Sequence, residues 1–307
     1  MRICSFLPSA TEIVFALGLG DDLVGVTHEC DYPPEAKQKA VVIDSVFHSE
    51  EHAASEIDRL VNQYAQRGIS IYKVNQPLLE ELRPDLIITQ GLCDVCAVST
   101  NETLRAVERL IPRPKVLSLD PTTFYDILDN MIAVGEATGR QKVAADLVAR
   151  LQARAEKIKQ QTETIRQRPR VFCLEWLEPP FCGGHWVPQM VDMAGGQTGI
   201  GKIGEPSFRV SWPEVARYDP EILVIMPCGF DIERTRRELG ALQGQADWDG
   251  LSAVRGGRVF LVDANSYFSR PGPRIVIGLE ILAQIIHPEL FDYELPKNSL
   301  ARLKFSA

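Results

Sequence analysis

The chain has no stretch near the roughly 20 consecutive apolar residues that a membrane-spanning helix needs, although 45% of its 307 residues are apolar. It has no basic excess either. Its formal net charge is −8, which argues against a nucleic-acid footprint or an anionic membrane surface as partner. It carries no G-x-x-x-x-G-K-[ST] and no G-x-S-x-G, so it offers neither a phosphate-binding P-loop nor a nucleophile elbow. No Ser/His/Asp set can be assembled from spacing, and acidic residues are too common to nominate a catalytic carboxylate pair, so the reading is of a protein that is not an enzyme. The cysteines are seven, an odd number, and follow no disulfide-framework spacing. Met1-Arg2 leads directly into a strand-like run with no charged and then apolar leader before it. Both features predict a reducing, cytoplasmic compartment. The alternative is a periplasmic or cell-surface protein from which a signal has been removed.

What is present is alternation. Apolar runs at Ile3–Leu7, Leu23–Val26, Leu86–Thr89 and 116–119 are separated by helical periodicities in the first 120 residues. That pattern predicts a parallel sheet covered on both faces. Ser9 with Glu12 three residues on reads as a capping box for the first helix, and an amphipathic helix is expected from about 50 to 67. The segment 123–166 has no proline and carries an apolar stripe through Ile127, Met131, Val134, Ala137, Val143, Leu147 and Leu151. It predicts one long helix, kinked if anywhere near Gly139. Alternation resumes at Val171–Leu174, Ile222–Met226 and Val259–Val262 and closes with a helix over 274–286. The predicted fold is α/β: two Rossmann-like lobes, 1–120 and 169–307, joined by one long rigid helix within 121–168, with a ligand cleft between the lobes.

The unusual residues lie where predicted strands end. Loops at the carboxyl ends of parallel strands are where α/β proteins bind ligands. The stretch Glu175–Trp186 packs Trp176, Phe181, His185 and Trp186 with two prolines and two glycines into a short loop. Trp212, Tyr267, Phe268 and Arg270 fall in the second half, and Glu29, Phe47 and the segment 90–96 in the first. Such aromatics give large contact area at small entropic cost, as a large, flat, partly apolar ligand would require. Cys93-x-x-Cys96 is either half of a metal or redox site, completed by His28 or His185, or a pair of free thiols supporting the cleft.

Several segments occur in a familiar order: Leu7-Pro8-Ser9-Ala10-Thr11-Glu12-Ile13, Asp31-Tyr32-Pro33-Pro34, Arg83-Pro84-Asp85-Leu86-Ile87, Pro179-Pro180-Phe181, Ser211-Trp212-Pro213 and the run from Arg270 to Arg274. In that order the chain resembles the helical-backbone binding proteins for cobalamin, haem and ferric siderophores, and within them the cobalamin-binding member of bacterial cobalamin uptake. The resemblance implies non-enzymatic binding of cobalamin or a related corrinoid, as a substrate-binding protein or a cytoplasmic relative of one. The alternatives are a haem or ferric-siderophore binder, and a metal-thiol or redox protein using Cys93 and Cys96. The ligand-contacting positions it implies are Glu29, Phe47, Gln90, Phe181, Trp212, Tyr267 and Arg270, with Trp186 at the rim. Glu29 and Gln90 stand where the uptake protein carries aromatics. The family docks on a membrane transporter through one acidic residue on each lobe. Glu214 lies close to the second such position; at the first stand Pro77-Leu78, with acids only at Glu80 and Glu81.

Overall fold

Two apolar runs, Leu86–Thr89 and Ile222–Ile225, are buried along their whole length. A strand buried on both faces belongs inside a sheet that is covered on both sides. In the computed structural model, which describes residues 1–91, 105–245 and 247–304, each run lies inside its own six-stranded sheet.

The first sheet comprises β1 (Ile3–Ser5), β2 (Leu23–Thr27), β3 (Ala40–Ser45), β4 (Tyr72–Val74), β5 (Leu86–Thr89) and β6 (Lys115–Ser118), in the order β4-β3-β2-β1-β5-β6. Its pairings are parallel except β3 with β4. The strand order reverses between β1 and β5, the kind of switch point at which diverging connections leave a crevice. Cys4, Phe6, Val42, Leu79, Ile87 and Val107 form its core.

The second sheet comprises β7 (Val171–Leu177), β8 (Pro180–Cys182), β9 (Phe208–Arg209), β10 (Ile222–Ile225), β11 (Val259–Val262) and β12 (Leu300–Arg302), in the order β12-β11-β10-β7-β8-β9. β7, β10 and β11 are parallel, whereas β8, β9 and β12 pair antiparallel. The chain divides into two compact units: Met1–His52, Arg59–Pro121 and Tyr125–Arg150 form one, and Ala53–Asp58, Thr122–Phe124 and Leu151–Ala307 the other.

The helices depart from expectation in three places. The first, α1 (Pro8–Ala16), starts with Pro8 at its first position and has no side-chain cap; Ser9 and Glu12 are buried inside it. Proline supplies the preset φ that helix entry needs and gives up no bonded N–H, so no capping box forms. The second, α2 (Ala54–Gln66), begins only after Ser49–Glu51, which form a separate 3-10 turn. α3 spans Gln76–Leu82.

The expected long helix is two, α4 (Phe124–Thr138) and α5 (Gln141–Thr162). Gly139 takes φ +71° and the Arg140 N–H bonds back to the Gly135 carbonyl at 2.7 Å. That is a left-handed stop satisfying an orphan carbonyl. The restart changes the phase of the stripe: Ile127, Met131 and Val134 are fully buried, but Val143 is 40% exposed.

In the second unit follow α6 (Val187–Met193), α7 (Trp212–Tyr218), α8 (Ile232–Glu238), α9 (Gly240–Gln243), α10 (Ser252–Arg255), α11 (Ala264–Tyr267) and α12 (Ile275–Ile286). α12 is buried nearly all round, and each of its enclosed Ile and Leu side chains contributes about 1.5–3 kcal/mol. Its one buried carboxylate, Glu280, accepts two bonds from the Arg154 guanidinium of α5, at 2.9 and 2.7 Å, which compensates the burial.

Gly278 lets α12 lie against the end of α11, since a Cβ there would collide with the Tyr267 carbonyl oxygen. Gly278→Ala is expected to cost about 2–3 kcal/mol by urea unfolding, as overpacking against backbone does. Gly139→Ala, strained but with open space around it, should cost about 1 kcal/mol. Equal losses for the two would show that the helices are not held at contact distance.

Candidate functional site

In the first unit the candidate residues sit at the carboxyl ends of β2, β3 and β5. Glu29 is exposed on the turn after β2, where its N–H bonds the Thr27 hydroxyl at 3.1 Å. Phe47 follows β3, half-buried, with its ring 5.9 Å from His52 and 6.4 Å from Tyr64. Gln90, directly after β5, is only 6% exposed and flanks the switch point beside β1. His28 stacks edge-on to His48 at 6.3 Å and lies 6.4 Å from Tyr72. Its Nδ1 is buried, 3.8 Å from an Asp44 oxygen and without a hydrogen-bond partner among the described residues.

In the second unit the stretch expected to be a loop is a hairpin. β7 runs on to Leu177, and the chain turns at Glu178-Pro179, a cis peptide, and returns as β8. Phe181 thus stands on a strand opposite Trp176 and beside Arg209. It is half-buried, with the Arg209 guanidinium 5.6 Å from its ring centre. Beyond the hairpin the backbone is braced. Glu175 accepts from the Ser207 hydroxyl at 2.7 Å and from the Gly184 N–H at 3.3 Å. His185 takes φ +51° and its backbone exchanges bonds with Glu205 and Gly204 at 2.6 and 2.9 Å. Burial pushes the His185 imidazole pKa down, favouring the neutral ring.

Two aromatics expected to face ligand are spent on packing. Trp186, 7% exposed, donates its indole N–H to the Phe268 carbonyl at 2.9 Å. Trp212, 8% exposed, opens α7 and meets Trp248 edge-on at 6.0 Å within the core. Tyr267 and Arg270 are also buried, at 8% and 7% exposure. They close α11 and the turn after it, with Arg274 lying 5.6 Å from the Tyr267 ring centre.

The loop leaving β10 is stitched to β7 and to the segment after β11. The Cys228 N–H bonds the Glu175 carbonyl at 3.0 Å and the Asn265 N–H bonds the Phe230 carbonyl at 3.1 Å. The Gly229 N–H bonds the Ser269 hydroxyl at 3.2 Å. This stitching assembles a set that sequence reasoning passed over: Trp176 against Phe230 at 5.3 Å, with Arg234 4.8 Å from the Phe230 ring. The signal available was position, since Phe230 and Arg234 follow β10 as Tyr267 follows β11. The Trp176 indole N–H is buried without an acceptor among the described residues, a donor whose desolvation costs about 1–3 kcal/mol unless something bonds it.

Of the candidate metal ligands, Cys93 and Cys96 lie outside the described residues. Among those described, no group of three or more His, Cys, Asp or Glu could hold a metal ion. His28 and His185 therefore gain no ligand set there. Gly199-Ile200-Gly201-Lys202-Ile203-Gly204 has the spacing of a dinucleotide fingerprint. It neither leaves a strand nor opens a helix, so it lacks the context that lets such glycines hold a pyrophosphate. Glu214, exposed in the first turn of α7, closes a capping box with the Ser211 N–H and hydroxyl at 2.8 and 2.7 Å. Those bonds hold its carboxyl below the usual range.

Two parallel-centred sheets with their unusual side chains at strand exits define the class, a two-lobe α/β substrate-binding protein. The chain belongs to the periplasmic binding protein family, whose model matches residues 3–266. It is 25% identical over 297 residues to an uncharacterised ABC transporter substrate-binding lipoprotein, YvrC, of Bacillus subtilis strain 168, covering 94% of this chain and 81% of that protein. It is 27% identical over 286 residues to the vitamin B12-binding protein of Vibrio cholerae, covering 91% and 86%. Among solved structures, a periplasmic haem-binding protein of Pseudomonas aeruginosa shares the fold with a TM-score of 0.74 at 18% identity, over 100% of this chain and 99% of that one.

The family and the Bacillus relative overturn the cytoplasmic expectation, because a periplasmic binding protein family and a lipoprotein argue for a place outside the cytoplasm. The cysteines misled for a physical reason. Cys4, Cys173 and Cys182 are buried free thiols, and burial pushes the Cys4 and Cys182 thiols up to about 12. Buried neutral thiols act as small apolar side chains, so their unpaired state says nothing of compartment.

A His whose folded pKa lies below its unfolded value, about 6.5, leaves the unfolded chain binding more protons as pH falls, so stability drops below that pH. His185→Asn, which keeps a residue tolerant of positive φ, is expected to flatten the loss of stability between pH 7.5 and pH 5 in urea unfolding. An unchanged slope would mean that His185 is not the group responsible.

Proposed function

We propose that the protein binds cobalamin or a related corrinoid without transforming it, as the substrate-binding component of an ABC transporter outside the cytoplasm. The observation that carries this is the near full-length match to the Vibrio cholerae vitamin B12-binding protein. The strand exits support it. Half-buried Phe47 and Phe181 offer apolar faces, and the Trp176 indole offers an unmet donor to an amide-rich ligand. Exposed Glu214 on the first turn of α7 is the residue we assign to docking on the transporter. A haem is the second reading, favoured by the imidazoles of His28 and His48, 6.3 Å apart, and of His52, 5.9 Å from Phe47, since imidazole is a common iron ligand.

Titration of the purified protein with cobalamin, followed by the corrin absorption and by heat, is expected to saturate below tens of micromolar and to return the ligand unchanged. Phe181→Ala and Phe47→Ala should each weaken binding about tenfold, near 1.4 kcal/mol, with little change in Tm. Trp176→Phe should weaken it severalfold by removing one hydrogen bond. Absence of cobalamin binding at tens of micromolar, with haem giving a shifted Soret band instead, would replace the first reading by the second.

A further inference from the structure

At the end of the second sheet away from its exit loops lies an open groove of about 1290 Å³. It is larger than the roughly 300–1,000 Å³ of most small-ligand sites. It runs along the amino ends of β7, β10 and β11, between the carboxyl end of α12 and β12. Its charge balance is unlike that of the chain, whose net charge is −8.

Three carboxylates line the groove, Asp192, Glu221 and Glu289, and each already has a partner. Arg168 bonds Asp192 at 2.6 Å. Arg170 holds Glu221 through its backbone N–H at 3.0 Å and its guanidinium at 3.5 Å. His287 faces Glu289 at 3.0 Å, its other ring nitrogen lying 3.1 Å from the Gly195 carbonyl. Three lining guanidiniums, those of Arg166, Arg258 and Arg302, are left with no carboxylate within ion-pair distance among the described residues.

Arg258 is the least solvated of the three. One of its terminal nitrogens, Nη2, donates to the Ile285 and Ile286 carbonyls at 3.1 and 3.0 Å, which fixes the side chain across the end of α12. Burial pulls its pKa down; the Glu221 and Glu289 charges oppose that fall and the smaller effect of the nearby Arg302 charge adds to it. Arg302 stands on the adjoining strand, opposite Phe260, and is pinned by the Gly257 carbonyl at 2.5 Å. Both guanidiniums are fixed by backbone carbonyls, and an anion entering the groove would be attracted to both. Planar guanidinium forks match the oxygens of a phosphate group. Phe260 and Ile203, also on the lining, leave an apolar flank for an organic remainder.

We propose that this groove is a second binding site, for a multiply charged phosphate-bearing anion held by Arg258 and Arg302 with Arg166 at the rim. The site is independent of the corrinoid reading, which concerns the opposite end of the sheet. Its phosphate belongs either to a soluble ester or to a phospholipid headgroup.

The test uses the whole protein with pyrophosphate at about 50 mM salt, followed by titration calorimetry. Saturable binding at submillimolar concentration is expected, weakening as salt rises. Arg302→Gln and Arg166→Gln, both at exposed side chains, should each weaken it about tenfold while leaving Tm and cobalamin titration unchanged. A second arm compares vesicles containing phosphatidic acid with vesicles of phosphatidylcholine alone. Co-sedimentation with the first only, lost in both variants, would support the site and give the phosphate a lipid source; pyrophosphate binding without co-sedimentation would support it with a soluble one. No saturable binding in either arm, or binding that both variants retain, would overturn the proposal whatever the result with cobalamin.

Discussion

The whole second unit depends on the complete burial of β10 between β7 and β11. Ile222, Leu223, Val224 and Ile225 expose nothing, and their backbone groups are tied to strands on both sides. Such a strand has no face to offer a ligand, so polar and functional side chains can stand only at its two ends. The two ends carry different chemistry. The carboxyl end gathers Trp176, near the end of β7, with Phe230, Tyr267 and Arg270 in the segments after β10 and β11. The amino end gathers arginines, three of them with no carboxylate within ion-pair distance among the described residues. One buried sheet therefore presents an aromatic rim and a cationic groove, kept apart by its own length.

The aromatic rim is rigid because its loops are bonded to each other as much as to the sheet. The Trp186 indole reaches the carbonyl of Phe268, and the backbone bonds from Cys228 and Asn265 close the loops in sequence. Glu175 does similar work for the hairpin by holding Ser207 and the Gly184 amide. A Cβ on Gly184 would strike the backbone of Pro206 and Ser207, so that close approach needs glycine. Preorganisation of this kind lowers the ordering cost of binding. It suits recognition of a bulky, stiff ligand more than closure around a small one.

Much of this was legible in the sequence, and the misses share a cause. The apolar runs announced the strands, because a strand buried on both faces admits little but Val, Ile and Leu. The hairpin was not legible: its return strand is only Pro180-Phe181-Cys182, and two prolines with two following glycines read as loop. Gly139 was visible as a weak point, but not the full stop that its left-handed conformation makes. The aromatics were the hardest to sort. Trp212 and Trp186 follow short strands, and Phe181 stands on one, yet Trp248 and the Phe268 carbonyl claim the two tryptophans. Position in the chain locates a residue at the rim; only packing decides whether its face is turned to solvent or to the core. Phe230 and Arg234 were overlooked for the converse reason, having no unusual local sequence to mark them.

The two units do not present the same kind of surface. The second offers aromatic rings flanked by guanidiniums. The first offers a carboxylate at Glu29, a buried amide at Gln90 beside the switch point, and the His52 imidazole against Phe47. A corrin ring carries many amide groups at its edge, and these both donate and accept hydrogen bonds. Gln90 can meet such groups in either sense, and Glu29 can accept from them. A ligand edged mainly with carboxylates would find the guanidiniums of the second unit congenial and Glu29 repulsive. On the proposed reading, Glu29 and Gln90 favour an amide-edged ligand over one edged with carboxylates.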